Sequence, residues 1–240
     1  MRDHLRPIAA VLFFALTLGG CCCSASPRPT SATARAPATR ENRVQAIAAR
    51  ARAAEPAVTA LLKRLAGEMG GELVGLEHRL KTLPALRSKF TRLTSDGTDL
   101  ADVEVYDALR YTLVLTDDPA GAHDRHIGEV LARFEGEGHV VEVVKNYWPG
   151  GDTYAGVNVT LRLPSGLPWE LQFHTRESYA TKDATHADYE ILRSPATTLE
   201  LRRRLFDKMR AIWDAVRVPA GILEPGSLHA RETLKTYARP

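Results

Sequence analysis

Two carboxylates stand in segments that are otherwise mostly apolar. Asp107 lies in an apolar run rich in Thr and Tyr, and Glu170 lies in the run Trp-Glu-Leu-Gln-Phe-His-Thr. Strand alternation places Glu170, Gln172 and His174 on one face of a sheet. Buried polar groups need partners. The polar side chains of Glu170, Gln172 and His174 therefore line either a solvated face of the sheet or a cleft. In such a cleft Asp107 and Glu170 would hold Mg²⁺, which prefers carboxylates and substrate phosphates.

Basic residues form a second group. Arg79 and Lys81 flank Leu80, so an extended segment would place both on one face, and Lys89 follows on a predicted helix. These three cations are either a phosphate site or ordinary solvated side chains. The sequence has no Walker-type glycine loop, no Rossmann fingerprint and no Gly-x-Ser-x-Gly motif. A nucleotide enzyme would need another device for binding phosphates.

Polar and aromatic residues also gather around a predicted hairpin and helix. Lys145 ends one strand and Tyr154 begins the next, so the turn between them brings the two together. Tyr154 is either an aromatic platform for a base or an ordinary exposed strand tyrosine. His186 and Tyr189 lie one helical turn apart, a spacing that also fits simple helix packing.

Helices and strands must position these residues, and their predicted order indicates an α+β fold. The predicted fold has one mixed, largely antiparallel sheet with flanking helices. Apolar spacing predicts one or two helices over residues 44–65, interrupted near Pro56. Thr82 caps a second helix. The other predicted helices are 123–134, 176–193 and 198–216, and the predicted strands are 73–80, 106–115, 140–148, 154–163 and 169–175. Short turns join the last three strands into an antiparallel meander.

The first forty residues predict export. A basic start and an apolar run of eleven residues, too short to span a bilayer, indicate a signal at residues 1–25. Processing is expected either at Cys21, as in lipoproteins, which would anchor the chain to a membrane, or after residue 25. Residues 26–40 are rich in Pro, Ala, Ser and Thr and predict a disordered spacer. Residues 41–240 are then expected to form the folded domain of a secreted protein.

The positions of the cysteines and the balance of basic and acidic residues exclude several classes of function. All three cysteines, Cys21 to Cys23, lie in the leader, which excludes a disulfide framework, a thiolate zinc site or a cysteine nucleophile in the body. Of the 32 Lys and Arg, four lie in residues 1–38 with one Asp, so residues 39–240 hold 28 basic and 28 acidic side chains. A large nucleic-acid surface is disfavoured, since it needs excess positive charge.

Five short motifs stand in the order found in the synthetase domain of the RelA/SpoT family, the (p)ppGpp makers. They are Arg79-Leu-Lys81-Thr82 with Lys89, then Asp107, then Lys145-Asn-Tyr147 with Tyr154-Ala-Gly-Val-Asn158, then Glu170-Leu-Gln-Phe-His-Thr175, and finally His186 with Tyr189. The chain resembles that family over residues 79–189. With its export signal it looks like the secreted nucleotide 3′-pyrophosphokinases, which have a nucleotidyltransferase-like fold.

The resemblance implies a reaction and roles for the residues. A pyrophosphoryl group would pass from ATP to the 3′-hydroxyl of a purine nucleotide, with Mg²⁺ as cofactor. ATP is expected on Arg79, Lys81 and Lys89, and the metal on Asp107 and Glu170, with Glu170 polarising the hydroxyl. The expected acceptor residues are Lys145, Tyr154, Asn158, Gln172 and His174, with His186 and Tyr189 in support.

Three positions depart from the family pattern, and two other functions compete. Thr112 replaces a family arginine, for which Arg110 is a substitute, while Asn158 and His174 replace a histidine and an arginine. These changes leave the selectivity for the acceptor base open. The competing functions are a toxin-type relative that modifies tRNA 3′ ends and a non-catalytic binding domain on the cell surface.

Overall fold

The computed structural model describes residues 39–150, 153–224 and 226–235, and the predicted export signal lies outside them. The described residues form five α-helices and six β-strands. In chain order these are α1 Arg40–Glu68, β1 Glu72–Val74, α2 Leu83–Leu93, β2 Arg110–Val114, α3 Ala122–Gly136, β3 Val140–Asn146, β4 Val157–Arg162, β5 Pro168–His174, α4 Arg176–Leu192, α5 Leu199–Trp213 and β6 Glu232–Leu234. No helix among the described residues is long and apolar enough to cross a membrane.

Helix α1 runs unbroken through Pro56. The predicted interruption is wrong, because a proline removes one backbone N–H while the apolar stripe continues on both sides of it. Ala51 before the proline and Val58 after it are both buried in the core. Thr39, which was expected to lie in the spacer, caps the helix start with its side-chain oxygen.

The strands form one mixed sheet in the order β1-β2-β5-β4-β3-β6. Strands β3, β4 and β5 pair antiparallel, which confirms the predicted meander. The β2–β5 and β3–β6 pairs are parallel, and β1 is antiparallel to β2. The predicted α+β class with a single mixed sheet is confirmed. Strand β6 was not predicted.

The two faces of the sheet differ in polarity. Trp169, Leu171 and Phe173 are fully buried on the apolar face. Helices α1 and α3 cover that face: Tyr111 contacts α1 through Thr59, and Phe134 of α3 packs on Trp169. Helices α4 and α5 lie over the opposite, polar face, where the candidate site residues lie.

Candidate active site

Two cavities lie side by side on the polar side of the sheet. One, of about 320 Å³, is lined by Lys81, Thr82 and Thr112 together with residues of α4. The other, of about 340 Å³, lies between the sheet and helices α4 and α5. Their common wall consists of four residues, Asp107, Arg110, Lys182 and His186. A larger cavity of about 590 Å³ elsewhere, at the carboxyl ends of β2 and β5, holds none of the predicted site residues.

Asp107 is paired with two lysines in this wall. Lys89 Nζ lies 2.5 Å from Asp107 Oδ1, and Lys81 Nζ lies 3.0 Å from Oδ2. Burial alone would raise the pKa of Asp107, but the two ammonium groups outweigh it and hold this pKa below its usual value. The carboxylate is therefore charged at neutral pH.

Local structure brings these three residues together. Asp107 lies in the turn before β2, rather than within a strand as predicted. An isolated bridge between Leu80 and Leu109 ties the chain before α2 to this turn, and Lys81 N–H donates to the Ala108 carbonyl at 3.1 Å. Thr82 then caps α2, which carries Lys89. The predicted cap is confirmed.

Arg79 faces away from the cavities. Its Nε donates to Glu55 Oε1 of α1 at 2.6 Å, and its Nη1 donates to the Leu76 carbonyl. The expectation that Arg79 and Lys81 share a face is wrong, because Arg79 has helical dihedrals at the end of a 3₁₀ turn rather than extended ones. In the free protein Arg79 therefore lines neither cavity, and its assignment to the ATP site stays a prediction.

Glu170 is held by a short chain of hydrogen bonds. It lies opposite Arg110 in the parallel β2–β5 pair. Gln172 Nε2 donates to Glu170 Oε1 at 2.5 Å, and Lys182 Nζ of α4 donates to Gln172 Oε1 at 2.7 Å. The amide of Gln172 is thus oriented from both ends. Lys182 was not among the predicted residues, although it lies four residues before His186 and so on the same helix face.

His174 contacts Tyr154, one of the residues that line the larger cavity. Its Nδ1 is 2.9 Å from Ser178 Oγ, and its Nε2 is 3.0 Å from the Tyr154 hydroxyl, which donates to Asn158 Oδ1 at 2.6 Å. The His174 ring therefore lies between two hydroxyl groups, those of Ser178 and Tyr154.

Burial sets the charge of His174. The side chain is fully buried, and its burial, followed by the positive charge of Lys182, holds the pKa of His174 well below its usual value. A neutral ring offers no positive charge to a phosphate. In the free protein His174 does not line the larger cavity and contacts Tyr154, which does.

The ring of Tyr154 is fixed by other aromatic rings. Tyr147 and His174 contact it edge-on, each with a centroid distance of 5.4 Å, and Trp213 of α5 packs on it at 5.8 Å. Gly156 makes the approach of His174 possible, because a Cβ there would lie 2.8 Å from His174 Cε1. Tyr154 lines the larger cavity in a single fixed orientation.

The remaining predicted residues occupy different positions. Asn158 and Tyr189 line the larger cavity, and His186 lines both. Arg193 stacks on the Tyr189 ring at 5.8 Å. Lys145 lies opposite Asn158 in the antiparallel β3–β4 register, but it does not line either cavity. Arg110, the candidate substitute for the family arginine that is Thr112 here, lines both cavities.

Comparisons with known proteins were made by sequence and by structure. No family model and no curated protein sequence matches the chain. The fold is similar to that of the Type VI effector Tas1, seen in a complex with its immunity protein, at 22% identity, covering 72% of this chain and 95% of that one, with a TM-score of 0.46.

A second similar structure is the small alarmone synthetase 1 from Bacillus subtilis, at 14% identity, covering 68% of this chain and 87% of that one, with a TM-score of 0.46. The same protein bound to its product pppGpp is similar at 16% identity, with the same coverage and a TM-score of 0.47.

The larger cavity holds two carboxylates, which are the kind of ligand that Mg²⁺ prefers. Asp107 and Glu170 line the same cavity. Among the described residues no group of three or more His, Cys, Asp or Glu side chains gathers to hold a metal by itself. Mg²⁺ is commonly bound by one or two carboxylates, with water and substrate phosphates completing its shell. These two residues are therefore the candidate ligands.

Proposed function

We propose that the protein is a RelA/SpoT-type nucleotide pyrophosphokinase. It transfers the β,γ-pyrophosphoryl group of ATP to the 3′-hydroxyl of a purine nucleoside 5′-phosphate and releases AMP. The observation that carries this proposal is the pair of cavities with a common wall of Asp107, Arg110, Lys182 and His186. A reaction between two nucleotides needs two adjacent sites, with the reacting groups where the sites meet.

The smaller cavity is the better candidate for the donor. It contains Lys81, which pairs with Asp107 of the common wall. Lys89 lines the larger cavity and reaches the donor side only through the same carboxylate. The single carboxylate of Asp107 neutralises only one of the two ammonium charges of Lys81 and Lys89. The negative phosphates of a bound ATP would neutralise the other. Lysine is a common phosphate ligand because its ammonium acts as a point charge.

The larger cavity is the better candidate for the acceptor. Tyr154 provides a rigid aromatic ring on which a purine stacks, and Asn158 and Gln172 provide amide groups beside it. Five cationic side chains line this cavity, Lys89, Arg92, Arg110, Lys182 and Arg193, and they are available to 5′-phosphates. The acceptor is therefore a nucleotide rather than a nucleoside.

The transfer step needs a base and charge neutralisation. The 3′-oxygen attacks the β-phosphorus of ATP, and the bond from that phosphorus to the α,β-bridging oxygen breaks, so AMP leaves with that oxygen. The hydroxyl proton passes to Glu170 and then to solvent. Bound Mg²⁺ would neutralise charge on the phosphate oxygens. Such a loose phosphoryl transition state depends mainly on positioning and charge. The Gln172 bond holds the Glu170 carboxylate in one orientation.

Turnover by Glu170→Gln tests the assignment of the base. The variant keeps the size of the side chain and removes its charge, so AMP formation should fall by about 100-fold or more. A Glu129→Gln variant, on the far helix α3, serves as the matched control. Near-normal turnover by the Glu170 variant would contradict the proposed mechanism.

The choice of acceptor separates the competing functions. Incubation with ATP and a mixture of GTP, ADP and tRNA, followed by chromatography, should show modified nucleotide and unmodified tRNA, because the body of the protein holds equal numbers of basic and acidic side chains. Phosphate on the tRNA would favour the toxin-type function. Failure to convert ATP to AMP would favour a binding domain.

We further propose that the enzyme acts outside the cell. Support comes from the sequence of residues 1–25, whose basic start and apolar run indicate an export signal. Mass spectrometry of the mature chain should find either a lipid-modified Cys21 or an N-terminus at Ser26. A full-length chain retained inside the cell would contradict this proposal.

A further inference from the structure

Lys182 lies where the two cavities meet, and none of the sequence motifs includes it. It projects from α4 and lines both cavities. The other two lysines of the site, Lys81 and Lys89, come from the opposite side, before and within α2. Lys182 is therefore the one lysine of the common wall among the described residues, and Lys81 and Lys89 meet this wall at Asp107.

The partner of Lys182 differs in kind from those of the other two lysines. Lys81 and Lys89 form ion pairs with Asp107, whereas Lys182 Nζ donates to the neutral amide oxygen of Gln172 at 2.7 Å. Among the described residues no carboxylate lies within ion-pair distance of Lys182. Its ammonium group has three N–H donors, and the Gln172 bond uses one.

The Lys182 side chain is half-buried, and its ammonium lies 5.7 Å from the centre of the Tyr179 ring. A half-buried ammonium without an ion-pair partner is costly to keep. Burial, followed by the neighbouring charge of Arg110, lowers the pKa of Lys182 to about 8, while Glu170 and Asp183 partly oppose this. An uncharged side chain of similar length would fill the same space at lower cost. The position therefore suits an anion that arrives with a substrate.

We infer that Lys182 is a catalytic residue that contacts the pyrophosphoryl group during its transfer from the smaller to the larger cavity. This inference rests on the proposed function. The group leaves ATP at the bond to the α,β-bridging oxygen and joins the acceptor 3′-oxygen, so it crosses the common wall. Lys182 donates hydrogen bonds to its non-bridging oxygens and stays protonated, while Glu170 receives the hydroxyl proton.

Three variants test the role of Lys182. Lys182→Met removes the charge at similar length, Lys182→Arg keeps it, and Lys63→Met is the control, an exposed lysine on α1 that lines neither cavity. Four quantities are measured for each: kcat, the KM of the acceptor, the affinity for inorganic pyrophosphate by calorimetry, and Tm.

If Lys182 contacts the transferred group, kcat and pyrophosphate affinity should change while the acceptor KM stays the same and Tm does not fall. Lys182→Met should lower kcat by about 100-fold and weaken pyrophosphate binding by roughly tenfold, with an unchanged acceptor KM and an equal or higher Tm. Lys182→Arg should recover part of both losses, and Lys63→Met should match the wild type. Wild-type kcat in Lys182→Met, or a loss of Tm that accounts for the lower activity, would overturn the inference.

The same measurements can contradict the role of Lys182 and the proposed reaction independently of each other. If the wild type forms no AMP but binds pyrophosphate in a manner that depends on Lys182, the proposed reaction fails and Lys182 is still a pyrophosphate ligand. If the wild type is active and Lys182→Met is equally active, Lys182 has no catalytic role and the reaction stands. A wild type that neither turns over nor binds pyrophosphate contradicts both.

Discussion

Lys89 Nζ lies 2.5 Å from Asp107 Oδ1. A residue proposed to bind ATP phosphates is thus paired, in the free protein, with a carboxylate proposed to bind Mg²⁺. Lys81 completes the arrangement at 3.0 Å from the other carboxylate oxygen. Substrate and metal must therefore exchange these partners, with phosphate replacing the carboxylate on the lysines.

Asp107→Asn should separate nucleotide affinity from turnover. Without the carboxylate both lysines are available to phosphates, so the affinity for ATP in the absence of Mg²⁺ should rise several-fold. Turnover with Mg²⁺ should fall by about 100-fold or more, because a candidate metal ligand is lost. Calorimetry and AMP release measure the two effects, and Asp102→Asn, an exposed loop variant, is the control. Weaker ATP binding in the Asp107 variant would contradict the exchange of partners.

Gly156→Ala should impair acceptor binding in particular. The added Cβ would lie 2.8 Å from Cε1 of the fully buried His174, which positions the Tyr154 hydroxyl. Overpacking of this kind costs about 1–3 kcal/mol, so the free energy of unfolding should fall and the acceptor KM should rise, with ATP affinity unchanged. Gly136→Ala is the matched control, since its Cβ would meet nothing within 4 Å. Wild-type stability and KM would refute the steric argument.

Arg79→Met should change stability rather than ATP binding. The lost bond to Glu55 joins the segment before α2 to α1, and the lost bond to the Leu76 carbonyl lies within that segment. A partly buried pair such as Arg79 and Glu55 is worth about 1–2 kcal/mol. Chemical denaturation should detect the loss, while the KM for ATP should stay near that of the wild type. Lys81→Met should show the reverse pattern. A raised ATP KM at unchanged stability would return Arg79 to the donor site.

Pyrophosphate affinity should depend on pH through Lys182. Burial lowers the pKa of this lysine to about 8, so its charge is present below that pH and is lost as the pH rises through it. Affinity should fall between about pH 7 and pH 9 in the wild type, beyond the change seen in Lys182→Arg, since arginine stays charged. Ionisation of pyrophosphate affects both proteins alike. Identical pH profiles would show that Lys182 does not supply the binding charge.

Local signals in the sequence predicted much of the fold. The Thr82 cap of α2 and the β3–β4–β5 meander depend on residues that are close together in the chain, and both are confirmed. The three-residue strand β6 was missed, because its parallel pairing with β3 joins segments that lie far apart in the sequence. So short a strand has no periodic pattern to reveal it.

The sequence predicted several individual residues of the candidate site but not how they are placed relative to one another. Asp107, Glu170 and Tyr154 all line the larger cavity, and strand alternation correctly placed Glu170 beside Gln172. Alternation could not show that Arg79 turns toward α1, because a 3₁₀ turn interrupts the extended segment. It also gave no sign of Lys182, whose role depends on how α4 packs over the sheet.

The most direct test of the proposed reaction follows the β-phosphorus of ATP. With Mg²⁺ and a purine nucleotide acceptor, ATP labelled at the β-phosphorus should transfer its label to the acceptor 3′ position, in amounts equimolar with the unlabelled AMP released. That result requires attack on the β-phosphorus and transfer of the whole pyrophosphoryl group. Label recovered in ADP or in free pyrophosphate, with the acceptor unlabelled, would contradict it.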